Sequence, residues 1–239
     1  MGLMVQIMLL TGCDKTPDAA MANNSAATAT AAAATAAPVT PVARPAGPER
    51  LILAFGDSLY AGYGVARGQS LPDAIQAGLR RDGINATIVN AGVSGDTTAA
   101  GRQRLAFALA NLARTPDLVL LGLGGNDVLR QIAPAETRAN MDAMLTELKK
   151  RGIPVVLTGM RAPPNLGPDY AGPFDAIWPD LAKRYDAALY PFILDGVIGQ
   201  PQLMQDDHVH PTAEGVAAIA GRLLPTVEAA LPTPDKPAG

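Results

Sequence analysis

The sequence predicts an α/β fold in which a parallel sheet is covered by helices on both faces. Short, continuous apolar runs alternate along the chain with longer segments of helical periodicity. The runs lack the apolar and polar alternation of a strand that faces water on one side, so both faces of each strand are expected to be buried. Strands of this kind that alternate with helices are typical of a parallel sheet between two helical layers.

The strands are predicted from the apolar runs and from the turn residues that end them. Residues 51–55 form the first run and lead into Gly56, which predicts a buried strand followed by a turn. The same pattern predicts strands at 86–92, 117–122 and 154–158, and a short fifth strand at 188–190.

The helices are predicted between and after these strands, at 71–82, 98–114, 136–151 and 174–188. Pro179 lies inside the fourth helix and is expected to kink or break it. The last helix begins after Thr212, and Val216, Ile219 and Leu223 follow a helical repeat along it.

Composition divides the chain of 239 residues into four segments. Residues 1–13 are mostly apolar and too short to span a bilayer, so they are interpreted as the end of an export signal. Residues 14–49 are rich in Ala, Thr and Pro, which predicts a flexible tether. The folded domain is expected at 50–232, and 233–239 form a tail.

Charge and cysteine content exclude several classes of function. The net charge is −3 and no stripe of Lys and Arg is present, which argues against a nucleic-acid partner. Two histidines and one cysteine exclude a thiol-rich metal site and an internal disulfide.

The single cysteine, Cys13, has a distinctive context. Leu10-Thr11-Gly12-Cys13 resembles the bacterial lipobox, in which the cysteine becomes a diacylated N-terminus. This resemblance implies an exported, periplasmic lipoprotein that is anchored to a membrane through Cys13. The alternative is an uncleaved apolar tail that holds an incidental cysteine.

Four polar motifs follow predicted strands or precede the last helix. They are Gly56-Asp57-Ser58-Leu59, the segment from Asn90 to Thr98, Gly122-Leu123-Gly124-Gly125-Asn126-Asp127, and Asp206-Asp207-His208-Val209-His210-Pro211. Ligands of open parallel sheets bind beyond the carboxyl ends of the strands, so the four motifs are expected to meet at one edge of the sheet.

The side chains in these motifs suit nucleophilic catalysis. A serine hydroxyl such as that of Ser58 needs a base, which a neutral histidine supplies at pH 7. A carboxylate then orients the imidazole, and Asp207 lies three residues before His210. His208 is the competing base and Asp206 the competing carboxylate. Ser58 alone could instead cap the helix after the first strand.

An oxyanion hole requires donors close to the nucleophile. The candidate donors are the N–H groups of Ser58 and Gly92 and the side-chain amide of Asn126. The candidate substrate-binding residues are Asp57 and Leu59 beside Ser58, and Leu166 in the loop after the fourth strand. Asp57 could alternatively brace its own loop, together with Ser94, Asp96 and Asp127.

The four motifs, in this order over residues 51–230, resemble the SGNH (GDSL) hydrolase superfamily. The finer match is to its branch of periplasmic acyl-CoA thioesterase I, lysophospholipase and arylesterase enzymes, through Gly62-Tyr63-Gly64 and Met204-Gln205-Asp206-Asp207. The resemblance implies a three-layer α/β/α sandwich with a flavodoxin-like sheet, Ser58 as nucleophile, His210 as base and Asp207 as its partner. It also implies Gly92 and Asn126 in the oxyanion hole and no metal or organic cofactor.

The expected function is hydrolysis of acyl esters or thioesters by a monomer with a small-molecule substrate. In this family's loop after the fourth strand an aromatic residue usually stands near Leu166, so acyl-chain preference is left open. Two other functions remain: an esterase that removes acetyl groups from carbohydrates, and a tethered binding lipoprotein with an inactive site.

Overall fold

Five parallel strands form one sheet with the order β2-β1-β3-β4-β5. The computed structural model describes residues 42–233. The central strands are buried along nearly their whole length, as expected for strands covered on both faces. The strands are β1 Arg50–Gly56, β2 Ala86–Gly92, β3 Leu118–Gly122, β4 Val155–Thr158 and β5 Ala188–Tyr190.

Helices cover both faces of this sheet. Helix α2 packs against α8, and α3 packs against α5, which also contacts α6 and α7. The helices are α1 Ser58–Ala61, α2 Leu71–Arg81, α3 Thr98–Ala110, α4 Gly125–Leu129, α5 Pro134–Lys150, α6 Pro168–Asp175, α7 Ile177–Tyr185 and α8 Ala213–Ala230. The five predicted strands and the predicted α/β class are confirmed.

Two helix predictions were wrong in detail. The helix predicted at 98–114 ends at Ala110, where the Asn111 side chain donates to the carbonyl of Phe107 at 2.7 Å and satisfies one terminal acceptor. The helix predicted at 174–188 corresponds to α7, which spans only Ile177–Tyr185, and residues 174–175 belong to α6, which begins at Pro168 and was not predicted. Pro179 lies in the first turn of α7, where an N–H has no helical partner, so the predicted helix is broken just before Pro179, at Ala176, and α7 itself accommodates the proline.

Three glycines end the three neighbouring strands at one level. Gly56 of β1 is in register with Gly92 of β2 and with Gly122 of β3. A Cβ on Gly56 or Gly122 would lie 2.5 or 2.3 Å from the ring of Tyr60, and a Cβ on Gly92 would lie 2.3 Å from the backbone N of Ala61. These strand-end glycines therefore leave the space in which α1 lies across the sheet edge.

The amino edge of the sheet receives the chain that leads into β1. The carbonyl of Gly47 accepts a hydrogen bond from Asn85 at 3.0 Å, and Glu49 accepts one from Thr87 at 2.6 Å. The carbonyl of Val42 accepts one from Arg80 at 3.4 Å. Residues 42–49, predicted as the end of a tether, are thus bonded to the domain.

The predicted signal, Cys13 and most of the predicted tether and tail lie outside the described residues. Within residues 42–233, no helix is both long enough and apolar enough to cross a membrane.

Candidate active site

Helix α1 carries Ser58 at the carboxyl edge of the sheet. Asp57 caps the helix, because its Oδ1 accepts a hydrogen bond from the N–H of Leu59 at 3.1 Å. Gly62 ends the helix in the left-handed conformation. Ser58 follows the carboxyl end of β1, and the strand order reverses at this strand, which has β2 on one side and β3 on the other. Ligands bind at such a point in open parallel sheets.

The predicted residues Ser58, His210 and Asp207 come together in a relay of two hydrogen bonds. His210 Nε2 lies 2.8 Å from Ser58 Oγ, and His210 Nδ1 lies 2.6 Å from Asp207 Oδ2. Since a neutral imidazole has one donor and one acceptor nitrogen, the carboxylate at Nδ1 favours the tautomer in which Nε2 accepts the serine proton. The His210 side chain is 16% exposed.

The carboxyl of Asp207 is held in its ionised form. Burial alone would raise its pKa, but hydrogen bonds from the backbone and ring of His210 and from the backbone of Val209 outweigh burial and lower the pKa to about 2. Both backbone bonds are 2.9 Å long. Asp207 therefore remains an anion beside His210 across the neutral pH range.

A short hairpin presents Asp207 and His210. Met204 and Pro211 form an antiparallel bridge, and the N–H of Gln205 donates to the carbonyl of His210 at 2.8 Å. His208, the alternative base, lines the pocket in the left-handed conformation with φ of 57°. The relay to Ser58 runs through His210.

Asp57 is the second carboxyl beside the nucleophile, and it is almost fully buried. Burial raises its pKa to about 6, against the lowering effects of the Leu59 N–H and the nearby His210. Its exposure is 2%, and it lines the pocket next to Ser58. Asp57 is thus the N-cap residue of α1, and its ionisation depends on the charge of His210.

The relay opens into a mainly apolar pocket with a volume of about 370 Å³. Asp57 and Leu59, both predicted to bind substrate, line it together with Ser58, Asn126 and His210. Leu166 does not line it: the side chain belongs to a short 3₁₀ turn and packs against the core, while Pro163 reaches the pocket. The apolar part of the wall comprises Val128, Leu129, Met160, Phe192, Leu194 and Ile198.

Gly92 is not at the pocket, contrary to the prediction for the oxyanion hole. Its N–H donates to Oδ1 of Asn90 at 2.9 Å, and the absence of a side chain leaves space for the backbone of α1. The glycine that lines the pocket is Gly95, in the loop after β2. Its N–H, like that of Ser58, has no acceptor among residues 42–233. The sequence signal for Gly95 is a glycine that lies beyond the end of the second strand, next to Ser94.

Asn126 lies at the start of α4 on the pocket wall. Its Nδ2 donates one hydrogen to the carbonyl of Asp96 at 3.0 Å, which leaves the second hydrogen of the amide available. The next residue, Asp127, is fully buried and accepts hydrogen bonds from Thr98 and Thr137. Asp127 therefore braces helix α4, as its alternative role in the sequence suggested.

Arg104 of α3 ties the loop after β2 to the strand ends. Its guanidinium donates to the carboxylate of Asp96 at 2.5 Å, to the carbonyl of Ala91 at 2.8 Å and to the carbonyl of Gly56 at 2.9 Å. It also lies 3.9 Å from the centroid of the Phe55 ring. Because the Asp96 carbonyl holds Asn126, Arg104 fixes one wall of the site from behind.

Tyr63, Arg161 and Phe192 also line the pocket, and Tyr63 and Phe192 were not predicted as site residues from the sequence. Tyr63 contacts the ring of His210, and the guanidinium of Arg161 lies 5.5 Å from the centroid of the Phe192 ring.

Within the described range 42–233, no group of three or more His, Cys, Asp or Glu side chains is placed to hold a metal ion.

Comparison with known proteins gives the same picture. The model of the GDSL-like lipase/acylhydrolase family matches residues 54–218. An arylesterase of Vibrio mimicus is 40% identical over 169 residues, which are 71% of this chain and 84% of that protein. Thioesterase 1/protease 1/lysophospholipase L1 of Escherichia coli K12 is 37% identical over 71% of this chain and 79% of its own.

A solved structure extends this match to three dimensions. The crystal structure of AlinE4, an SGNH-hydrolase family esterase, is 54% identical and superposes with a TM-score of 0.67 over 79% of this chain and 100% of that one. Sequence relatives, family model and fold agree, and the chain belongs to the GDSL-like, or SGNH, family of hydrolases.

Proposed function

We propose that this protein hydrolyses carboxylic esters and thioesters through an acyl-enzyme formed on Ser58. Ester hydrolysis is the reaction of the family, and the relatives are named arylesterase and thioesterase. The observation that carries the mechanism is the relay from Asp207 through His210 to Ser58, with spacings of 2.6 and 2.8 Å, beneath an apolar pocket.

In the first half of the reaction, Ser58 Oγ attacks the carbonyl carbon while its proton passes to Nε2 of His210. The tetrahedral intermediate then collapses. The bond to the leaving group breaks, and the imidazolium returns its proton to the departing alcohol or thiol. Asp207 stays ionised and stabilises the imidazolium.

The negative charge on the intermediate needs donors. The N–H groups of Ser58 and Gly95 and the second amide hydrogen of Asn126 are the groups that we assign to this oxyanion hole. Gly95 takes the role that was predicted for Gly92. One such donor typically contributes about 10²–10³ in rate.

In the second half, water takes the place of the leaving group. His210 removes a proton from the water, whose oxygen attacks the acyl carbon. Collapse breaks the bond to Ser58 Oγ, which recovers its proton from His210. The carboxylic acid leaves, and no cofactor is consumed.

The test is covalent labelling of Ser58. A fluorophosphonate should label the wild type, and Ser58→Ala should abolish labelling and lower kcat for p-nitrophenyl esters by roughly 10³-fold or more. Ser94→Ala removes another hydroxyl at the pocket and should retain the label. Hydrolysis by Ser58→Ala at the wild-type rate would overturn the mechanism, and a wild type that takes no label would favour a binding protein.

The apolar pocket wall favours acyl or aryl groups over sugar hydroxyls as the bound part of the substrate. Purified protein should therefore turn over p-nitrophenyl esters and acyl-CoAs in a C2–C16 series faster than acetyl xylan. Preference for acetyl xylan would support the carbohydrate O-acetyl esterase instead.

We also infer that the protein is exported to the periplasm and anchored through a lipidated Cys13, on the strength of Leu10-Thr11-Gly12-Cys13. Mass spectrometry of the native protein should find a diacylglyceryl group on an N-terminal Cys13. An intact, unmodified Met1 would contradict this.

One chain supplies the whole relay and pocket wall, which supports action as a monomer. Light scattering of the purified protein measures this.

A further inference from the structure

The imidazole of His210 has an aromatic neighbour that the relay does not use. The centroids of the Tyr63 and His210 rings lie 4.4 Å apart, and the ring planes are inclined by 36°. At this separation the two rings are in contact. Tyr63 is itself 53% exposed, so the burial of its own ring does not explain its position.

The backbone holds Tyr63 at this place. Gly62 and Gly64 on either side have φ of +86° and +71°, the left-handed conformation that favours glycine. The N–H of Tyr63 donates to the carbonyl of Ser58 at 3.2 Å. The aromatic ring is thus attached, through a few residues of fixed backbone, to the nucleophile that His210 must reach.

Gln205 joins the Tyr63 segment to the hairpin of His210. Its Nε2 donates to the carbonyl of Tyr63 at 2.9 Å and to the carbonyl of Pro211 at 2.8 Å, and its backbone N–H donates to the carbonyl of His210. A Cβ on Gly64 would lie 2.1 Å from the Gln205 side chain. These contacts fix the separation of the two rings.

The groups around the imidazole define what Tyr63 adds. Asp207 bonds Nδ1, Ser58 bonds Nε2, and the buried carboxyl of Asp57 interacts with His210 through charge. His208 is the titratable neighbour in the hairpin. Among residues 42–233, Tyr63 is the aromatic residue whose ring contacts the imidazole. An aromatic ring attracts a cation at its face, so Tyr63 favours the imidazolium over the neutral ring.

Resting on the acyl-enzyme mechanism given above, we propose that Tyr63 is a positioning residue for the base. Its ring holds the imidazole of His210 against Ser58 and stabilises the imidazolium that forms at each proton transfer.

The test is the pH profile of kcat/KM for p-nitrophenyl butyrate in Tyr63→Leu. Leucine keeps an apolar cover over His210 but removes the aromatic face. The acid limb of the profile should move to lower pH by about 0.4 to 0.7 unit, and kcat should fall by about 2- to 5-fold. An unchanged acid limb, with a change in KM alone, would overturn the proposal and make Tyr63 a substrate contact.

Aromatic variants keep the proposal testable should Tyr63→Leu fail to fold. Tyr63→Phe should retain the wild-type profile, since the ring and not the hydroxyl acts. Tyr63→Trp should move the acid limb to higher pH, because indole binds cations best. A Tyr63→Phe enzyme as impaired as Tyr63→Leu would contradict the assignment.

Leu129→Ala is the matched control, because it shortens another exposed apolar side chain on the pocket wall. It should change KM and leave the acid limb at the wild-type pH. Fluorophosphonate labelling separates this proposal from the proposed function: if Ser58→Ala abolishes labelling and the Tyr63 series matches the wild type, only the role of Tyr63 fails.

Discussion

Asp57 shows how one residue couples stability to the site. The fold buries its carboxyl and raises the pKa from 3.8 to about 6. The folded protein therefore holds this proton more tightly than the unfolded chain does. Between about pH 4 and pH 6 this group makes the protein less stable as the pH rises, and above pH 6 the full cost remains.

Asp57→Asn should remove this dependence. The amide oxygen can still accept the N–H of Leu59, so the cap of α1 is kept. The free energy of unfolding of the variant, minus that of the wild type, should rise by up to about 3 kcal/mol from pH 4 to pH 7. Urea denaturation at both pH values measures this. A difference between the two proteins that does not change with pH would show that the burial of Asp57 carries no such cost.

Arg104 is a residue whose effect on catalysis is expected to be indirect. Arg104→Lys keeps the charge but loses the fork that reaches Asp96, Ala91 and Gly56 together. Because the Asp96 carbonyl then holds Asn126 less firmly, kcat should fall by roughly 10-fold with little change in KM. Arg102→Lys, an exposed arginine of the same helix, is the control. Equal kcat in both variants would argue against this support.

For single residues, the catalytic side chains were easier to predict from the sequence than the backbone N–H donors of the oxyanion hole. Ser58, Asp207 and His210 were found because their side chains suit only a few roles. Gly92 was predicted as a donor because it ends the second strand, whereas the glycine that lines the pocket is Gly95, three residues further along the loop. Which N–H points into a pocket depends on loop backbone geometry, which residue type does not encode.

Among the elements, α1 depends on the glycines beneath it. A Cβ on Gly92 would meet backbone of α1, which cannot move aside as a flexible side chain could. The helix must shift, and Ser58 shifts with it. The first element of the site is thus positioned by residues that touch no substrate.

Gly92→Ala should lower kcat by roughly 10²-fold or more, since a displacement of about 1 Å has this effect, and should lower stability by about 1–3 kcal/mol. Gly83→Ala is the control, because Gly83 has φ of +85° and open space around it. It should cost about 1 kcal/mol from backbone strain and leave kcat unchanged. Wild-type kcat in Gly92→Ala would contradict the packing argument.

Strands were predicted more reliably than helix ends because an apolar run of strand length has few other interpretations. Pro179 predicted a kink or break in the helix at 174–188 but did not predict where α6 ends and α7 begins, and both of these helices pack against α5. The short helices α1 and α4 were also missed, since four or five residues are too few for periodicity to appear.

For the whole molecule, residues 42–49 set the practical limit of the domain. A chain shortened to begin at Val42 should keep the thermal midpoint and kcat of the full chain, because the core and the site lie beyond it. A chain shortened to begin at Arg50 loses the hydrogen bonds of Gly47 and Glu49 and should melt several degrees lower with kcat unchanged. Equal midpoints for the two shortened chains would show that these bonds contribute nothing.

The strand-end glycines also bear on protein engineering. Substitutions at Gly56, Gly92 or Gly122 should lower activity and stability together. A mutagenesis library at these positions would therefore contain mostly inactive variants. The wall residues Leu129 and Ile198 are more than half exposed. A library that randomises those two positions can search for new substrate ranges at little risk to the scaffold.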